Sequence, residues 1–309
     1  YLKRAIDDRR GDKGLFLLTG SQKLSLMAGV SESLAGRIAV VELHTLSMQE
    51  IEAFRAVPFD RAAVLRAMLE GGFPEVVAES LDPKRYFADY LASYLERDVR
   101  QALQVHSLRD FDRFLRLCAL RTGQLLSMNS LAADLGVSPN TIRSWLSVLE
   151  ASNVITLLEP YHRNLGKRVI KTPKLYFLDT GLACFLAGIG DVASLAASGL
   201  LGAMFETLVL GQIVRHFANR GERPEVFFFR DYSGNEVDFV VPAGERLRLI
   251  ECKWADAPST QVRGFGEVQR LAGSANVASR TIVTPECVRR TVDGVDFDGC
   301  VDLAFLDGP

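Results

Sequence analysis

Residues Glu236 to Trp254, EVDFVVPAGERLRLIECKW, set two apolar runs on either side of a tight PAGE turn. Short apolar runs bounded by turn residues read as buried strands, so this stretch reads as two neighbouring strands of a covered sheet. Yet the first run carries Asp238, and the second ends in Glu251 and Lys253. A charge buried in such a sheet needs a partner, a metal or a chemical task. Alternate strand residues face the same side, so Glu251 and Lys253 project together and Cys252 points away. Carboxylates gathered at one sheet end make a hard-oxygen site of the kind magnesium uses beside water and phosphate. An adjacent ammonium can orient a water and neutralise phosphate charge. Glu206, on the apolar helix GAMFETLVLGQIV ahead of the sheet, reads as a further carboxylate. The competing reading is a salt bridge between Glu251 and Lys253 at a sheet edge, with Asp238 solvated.

The chain has 309 residues, enough for two or three compact units. A net charge of -2 means that any nucleic-acid contact comes from a local patch and not from the field of the whole molecule. The five cysteines are scattered without a CxxC pair, so neither a zinc knuckle nor a disulfide framework is suggested and a reducing, cytoplasmic setting is expected. The most apolar stretch, Thr180 to Val214, is broken by Asp191 and Glu206 into runs shorter than the roughly 20 residues a bilayer needs, and no signal peptide is evident. No membrane partner is expected. The chain opens with YLKRAIDDRR, which reads as mid-helix, so the expectation is a fragment of something longer.

Residues 1–57 read as α/β. GLFLLTGS and RIAVVEL fit buried parallel strands, a helix is expected near Leu24 to Gly29, and LSMQEIEAF reads as a helix with Ser47 and Glu50 forming a capping box. Residues 58–122 turn helical: RAAVLRAMLE stops at Gly71-Gly72, and a long helix is expected from Pro83 to Leu103. Tyr86, Tyr90 and Tyr94 recur there at helical spacing and read as packing. Residues 199–309 read as α/β again: a helix near Gly202 to Ala218, strands EVFFFR, NEVDFVV and LRLIECKW, a helix near Gln261 to Leu271 and the strand TIVT.

Residues 123–190 hold SLAADLGVSPNTIRSWLSVLEASNVI, which has the spacing of a helix-turn-helix. Ala132 is small where two helices touch, Gly136 allows a left-handed turn, Ile142 faces the core, and Ser138 with Pro139 starts the second helix. Asn140, Thr141, Arg143 and Ser144 then lie toward the exposed face of a recognition helix. The next segment reads as a two-stranded wing. Between Glu159 and Asp179 it holds Arg163, Lys167, Arg168, Lys171 and Lys174 and no acid, a ribbon suited to phosphate contact. Winged helices serve equally as protein adaptors, and Glu150 on the second helix thins the base-reading chemistry. Asp179, ahead of Thr180, reads as a helix cap.

Two resemblances follow. From Leu200 to Thr284 the chain resembles the PD-(D/E)XK nuclease superfamily, whose restriction-endonuclease-like fold carries a helical Glu, a strand Asp and a strand E-x-K. The resemblance assigns those places to Glu206, Asp238, Glu251 and Lys253, and implies magnesium or manganese held by Asp238, Glu251 and Glu206. Val237 stands where the motif's Pro would be. Over its whole length the chain is similar to bacterial and archaeal AAA+-type ATPases that carry a C-terminal domain of unknown function, through GLFLLTGSQKLSL, SLAGRIAVVELHTLSMQEIEAF, GGFPEVV and YFADYLASYLERDV. That similarity implies nucleotide contact by Thr19, Ser21 and Arg37; a plain salt bridge is the other reading of Arg37. No G-x-x-x-x-G-K-[ST] loop occurs in the 309 residues, so ATP binding is expected only of a full-length protein. The expected architecture is thus α/β and α multi-domain: a remnant of an AAA+ domain, a helical connector, a winged helix-turn-helix and a restriction-endonuclease-like α/β domain. The expected partner is DNA, cleaved or bound; a non-catalytic adaptor for DNA or protein, or a scaffold that binds another protein or a further copy, is the alternative.

Overall fold

The computed structural model describes residues 2–18, 38–94, 108–162, 169–255, 259–286 and 289–307. Thr19, Ser21, Arg37, Arg163, Lys167 and Arg168, the helix expected near Leu24 to Gly29 and the end of the long helix beyond Tyr94 lie outside the described residues. The protein is mixed α/β, with a helical middle and a mixed sheet toward the C-terminus.

After α1 (Leu2–Asp7), the described parts of the two segments expected as buried strands, residues 14–18 and 38–43, are not strands: Leu17 is 89% and Leu43 91% exposed. An apolar run becomes a buried strand only when neighbours hydrogen bond to its edges and cover its faces. Among the described residues no strand pairs with either run. Regular structure resumes where local chemistry suffices. The Ser47 hydroxyl accepts from the Glu50 N–H while Glu50 accepts from the Ser47 N–H, the expected capping box, and α2 (Met48–Arg55) follows. Asp60 caps α3 (Arg61–Glu70), which ends at Gly71 with φ 71°. After α4 (Pro74–Glu79), α5 (Pro83–Tyr94) carries the tyrosine stripe. Its rings stack on one another and Phe73 meets Tyr90 edge-on at 5.0 Å, so the stripe is packing.

Helix α6 (Leu108–Ala119) sets Phe111 and Phe114 against Trp145. Next come β1 (Gln124–Leu125), α7 (Met128–Leu135) and α8 (Pro139–Ala151). Gly136 adopts φ 69°, which a side chain would oppose, and the Ser138 hydroxyl accepts from the Thr141 N–H, so the sharp turn and new start are locally encoded. Ile142 and Leu146 are buried. Strands β2 (Ile155–Leu158) and β3 (Lys174–Phe177) complete a small antiparallel sheet in the order β1-β3-β2.

Of the expected basic ribbon, Lys171 is exposed and Lys174 is the residue that needs correction. The chain leaving β2 hydrogen bonds along β4 (Phe227–Arg230): the Phe228 N–H donates to the Glu159 carbonyl and the Tyr161 N–H to the Phe228 carbonyl. On the return, the Ile170 N–H donates to the Arg230 carbonyl. Glu159, Tyr161 and Ile170 therefore cover the outer edge of β4, where unpaired backbone groups would otherwise face water. Lys174 is buried and not part of a basic surface, because its ammonium pairs with Glu206 and Glu236.

Asp179 caps α9 (Thr180–Leu186) as expected, and α10 (Val192–Ala197) leads to α11 (Leu201–Ala218). Helix α11 is buried nearly all round and packs under a sheet of β4, β5 (Glu236–Ala243), β6 (Arg246–Cys252), β7 (Val277–Thr284), β8 (Arg290–Val292) and β9 (Val295–Gly299). The order among the described residues is β4-β5-β6-β7-β9-β8, with β6, β7 and β9 parallel and the other pairs antiparallel. One continuous core runs from Met48 through α11 to Leu306. No helix among the described residues is long and apolar enough to cross a membrane.

Helix α12 (Arg263–Ala272) crosses from β6 to β7 with Gly264 so close to β5 that a Cβ would collide with the Glu236 carbonyl oxygen. Gly264→Ala is expected to cost about 1–3 kcal/mol, because α12 must lift from β5. An unchanged urea midpoint in that variant would remove the packing argument.

Candidate functional site

The β5–β6 register pairs Phe239 with Ile250 and Val240 with Leu249. Continued by one residue, it sets Asp238 opposite Glu251, where antiparallel neighbours share a face. Asp238 accepts the Cys252 N–H at 2.8 Å, which pins its carboxylate across the strand end. Lys253 donates to Glu251 Oε1 at 2.6 Å from a half-exposed position, while Glu251 itself is buried. Glu251 Oε2 is buried with no hydrogen-bond partner among the described residues. A buried carboxylate oxygen left unpaired is costly, and that cost marks a place where a cation or donor is favourable. Burial, together with the charges of Glu206 and Glu251, pushes the Asp238 carboxyl well above the usual carboxylate range. Burial also raises Glu251, against the pull of Lys253.

Glu206, the carboxylate expected from α11, is tied to other partners. Its Oε1 accepts from Lys174 at 3.0 Å and from the Tyr176 hydroxyl. The Lys174 ammonium also lies 2.5 Å from Glu236 Oε1, and its side chain is 3% exposed. Burial opposes that charge, but Glu206, Asp238 and Glu236 outweigh it and raise the Lys174 pKa. Among the described residues no three acidic, histidine or cysteine side chains are arranged as a complete metal-ligand set. The residues fit a metal only as a two-carboxylate corner, Asp238 and Glu251, with the orphaned Oε2 as its open valence. That is the sparse protein contribution magnesium accepts when water and phosphate supply the rest.

Sequence reasoning missed Lys174, Tyr176 and Glu236. A signal existed for each: Lys174 and Tyr176 share a face of the apolar strand KLYF, and Glu236 stands two residues before Asp238. What the sequence did not carry was that side chains of β3 meet those of β5, Lys174 at Glu236 and Tyr176 beside Phe239.

The expected recognition residues are placed but not gathered around this corner. Asn140, Arg143 and Ser144 are exposed on α8 and Thr141 is half-buried, with Arg143 donating to the Asn140 side chain at 3.3 Å. Lys171 is exposed. At the far end of α11, Arg215 donates to the Thr45 carbonyl, the Thr45 hydroxyl and the Leu178 carbonyl, and Gln212 accepts the Met48 N–H. One helix thus holds Glu206 at the carboxylate cluster and grips residues 45–48 about two turns later.

Residues 1–52 match an AAA domain, residues 61–193 a domain of unknown function (DUF8612) and residues 201–295 a second domain of unknown function (DUF4143). The chain is 33% identical over 258 residues, 83% of its length, to the uncharacterized proteins Rv2008c of Mycobacterium tuberculosis and Mb2031c of Mycobacterium bovis, to which it is homologous. It spans 56% of the length of those relatives.

Proposed function

We propose that residues 199–309 form a restriction-endonuclease-like unit whose Asp238–Glu251 corner takes a divalent cation, magnesium or manganese, against a nucleic-acid phosphate. In this reading residues 123–190 are a winged helix that presents DNA through Asn140, Thr141, Arg143, Arg163, Lys167, Arg168 and Lys171. Residues 58–122 are a helical connector, and residues 1–57 are the end of an AAA+-like ATPase domain. The observation that carries the reading is the buried, unpartnered Glu251 Oε2 opposite Asp238. Asp238 and Glu251 would hold the ion, which when bound supplies Lewis-acid polarisation of a phosphate oxygen and acidifies water. Lys253, fixed by Glu251 Oε1 and reaching solvent, pairs with phosphate charge as it builds. Glu206 shapes the cluster's field while bonded to Lys174 and Tyr176. ATP turnover, with Thr19, Ser21 and Arg37 at the nucleotide, belongs to the full-length protein. Its route to the corner is α11, which grips residues 45–48 within the AAA-matching segment.

Plasmid incubated with the protein and magnesium or manganese is expected to be nicked, and Lys253→Ala to slow nicking about a hundredfold or more. Plasmid left intact by the unaltered protein under both ions would end the hydrolytic reading. A second reading, a non-catalytic adaptor for DNA or protein, is favoured by the Lys174 ammonium already neutralising much of the acid cluster. It predicts intact plasmid, with a gel shift lost when Arg163, Lys167 and Arg168 are replaced. A scaffold for another protein or a second copy predicts neither nicking nor shift.

A further inference from the structure

The acid cluster has four carboxylates and two lysines, and the two lysines differ in kind. Lys253 lies on the same strand as Glu251, bonds one oxygen of it and reaches solvent. Lys174 comes from β3, outside the C-terminal sheet, and is enclosed. Its ammonium touches Glu206 Oε1 at 3.0 Å, Glu236 Oε1 at 2.5 Å and the Tyr176 hydroxyl at 3.3 Å, with the Phe228 ring face 5.5 Å away. Three oxygens around one enclosed positive charge, backed by an aromatic face, form a cation site whose cation is a side chain. An ammonium has a single charge and three donors, so it satisfies such a site without dehydrating a metal ion. Glu251 Oε2 lies outside its reach and stays unpaired.

We infer that Lys174 is the resident cation of the Glu206–Glu236 half of the cluster, and that it limits the site to one divalent ion, at Asp238 and Glu251. Removing the ammonium opens a second divalent position between Glu206 and Glu236. This rests on the proposed cation corner, deepens it, and makes Lys174 a positioning residue that reaches the site from the middle of the chain. It also explains why Glu206, well placed on α11, is not a free ligand.

The test is a count of bound manganese by titration, read from the loss of the free-ion electron paramagnetic resonance signal. The unaltered protein is expected to take one ion, Lys174→Ala two, and Lys174→Ala with Glu206→Gln one. Lys174→Gln, which keeps side-chain volume without charge, is titrated in parallel so that an unfolded alanine variant still leaves a count; it too is expected to take two. Two ions on the unaltered protein, or one on both it and the Lys174 variants, overturns the inference and leaves the corner at Asp238 and Glu251 standing. No ion on any of them overturns both. No ion on the unaltered protein but one on the variants supports Lys174 as the resident cation and overturns the corner.

Discussion

Arg215→Ala is expected to destabilise the folded protein by about 3–5 kcal/mol, the range for removing one partner of a buried charge pair. Arg215 is buried on α11, and burial lowers its pKa while Asp179 and Glu50 push back. Its guanidinium donates to the Thr45 carbonyl at 2.6 Å, the Leu178 carbonyl at 2.8 Å and the Thr45 hydroxyl, and lies 4.0 Å from Asp179. Alanine leaves the two carbonyls without that donor and strips Asp179 of its buried counter-charge. Asp179 cannot drift to water, because it also caps α9 through the Leu182 N–H and accepts the Gly72 N–H. Arg215→Lys keeps the charge but not the fork, so it falls between. Urea unfolding gives the number; a loss under about 1 kcal/mol for alanine would show that water readily replaces the guanidinium. Residues 45–48 should lose hydrogen-exchange protection in the same variant, since the helix's hold on them is local.

The contrast between what was readable and what was not follows from the range of the forces. Ser47 with Glu50, Asp179 with Leu182 and Ser138 with Thr141 are cap bonds closed within three residues, so their positions in the sequence carry them. Asp238 facing Glu251 is nearly as local, because a short turn joins the two strands and fixes their register. The hairpin of β8 and β9 was equally legible in the pair Asp293-Gly294, both at positive φ, but went unread. Lys174 is the opposite case. Its charge among Arg163, Lys167, Arg168 and Lys171 reads as a surface ribbon, and only its meeting with Glu206 on α11 and Glu236 on β5 turns it into a buried counter-ion. The exposed runs at Leu17 and Leu43 make the same point from the other side: apolar pattern marks a wish for burial, and pairing decides it.

Lys174→Ala is expected to cost about 3–5 kcal/mol in metal-free buffer, because it leaves Glu206 and Glu236 facing each other without their shared ammonium. Such a loss could reflect only the missing side-chain stem, so the pair with Glu206→Gln is the sharper measurement. If the ammonium acts by neutralising Glu206, removing the carboxylate's charge makes removal of the lysine cheaper, and the double variant is more stable than the sum of the singles by about 0.5–3 kcal/mol. If Lys174 only fills space, the two costs add. Glu236 keeps Arg230 at 3.1 Å as a second partner and should soften the alanine variant more than Glu206 can. Replacing Arg230 together with Lys174 is therefore expected to deepen the loss, whereas replacing Arg230 alone costs little at its half-exposed position. Additive costs throughout this set would mean that the lysine is packing, and the charge argument for the cluster would fall with it.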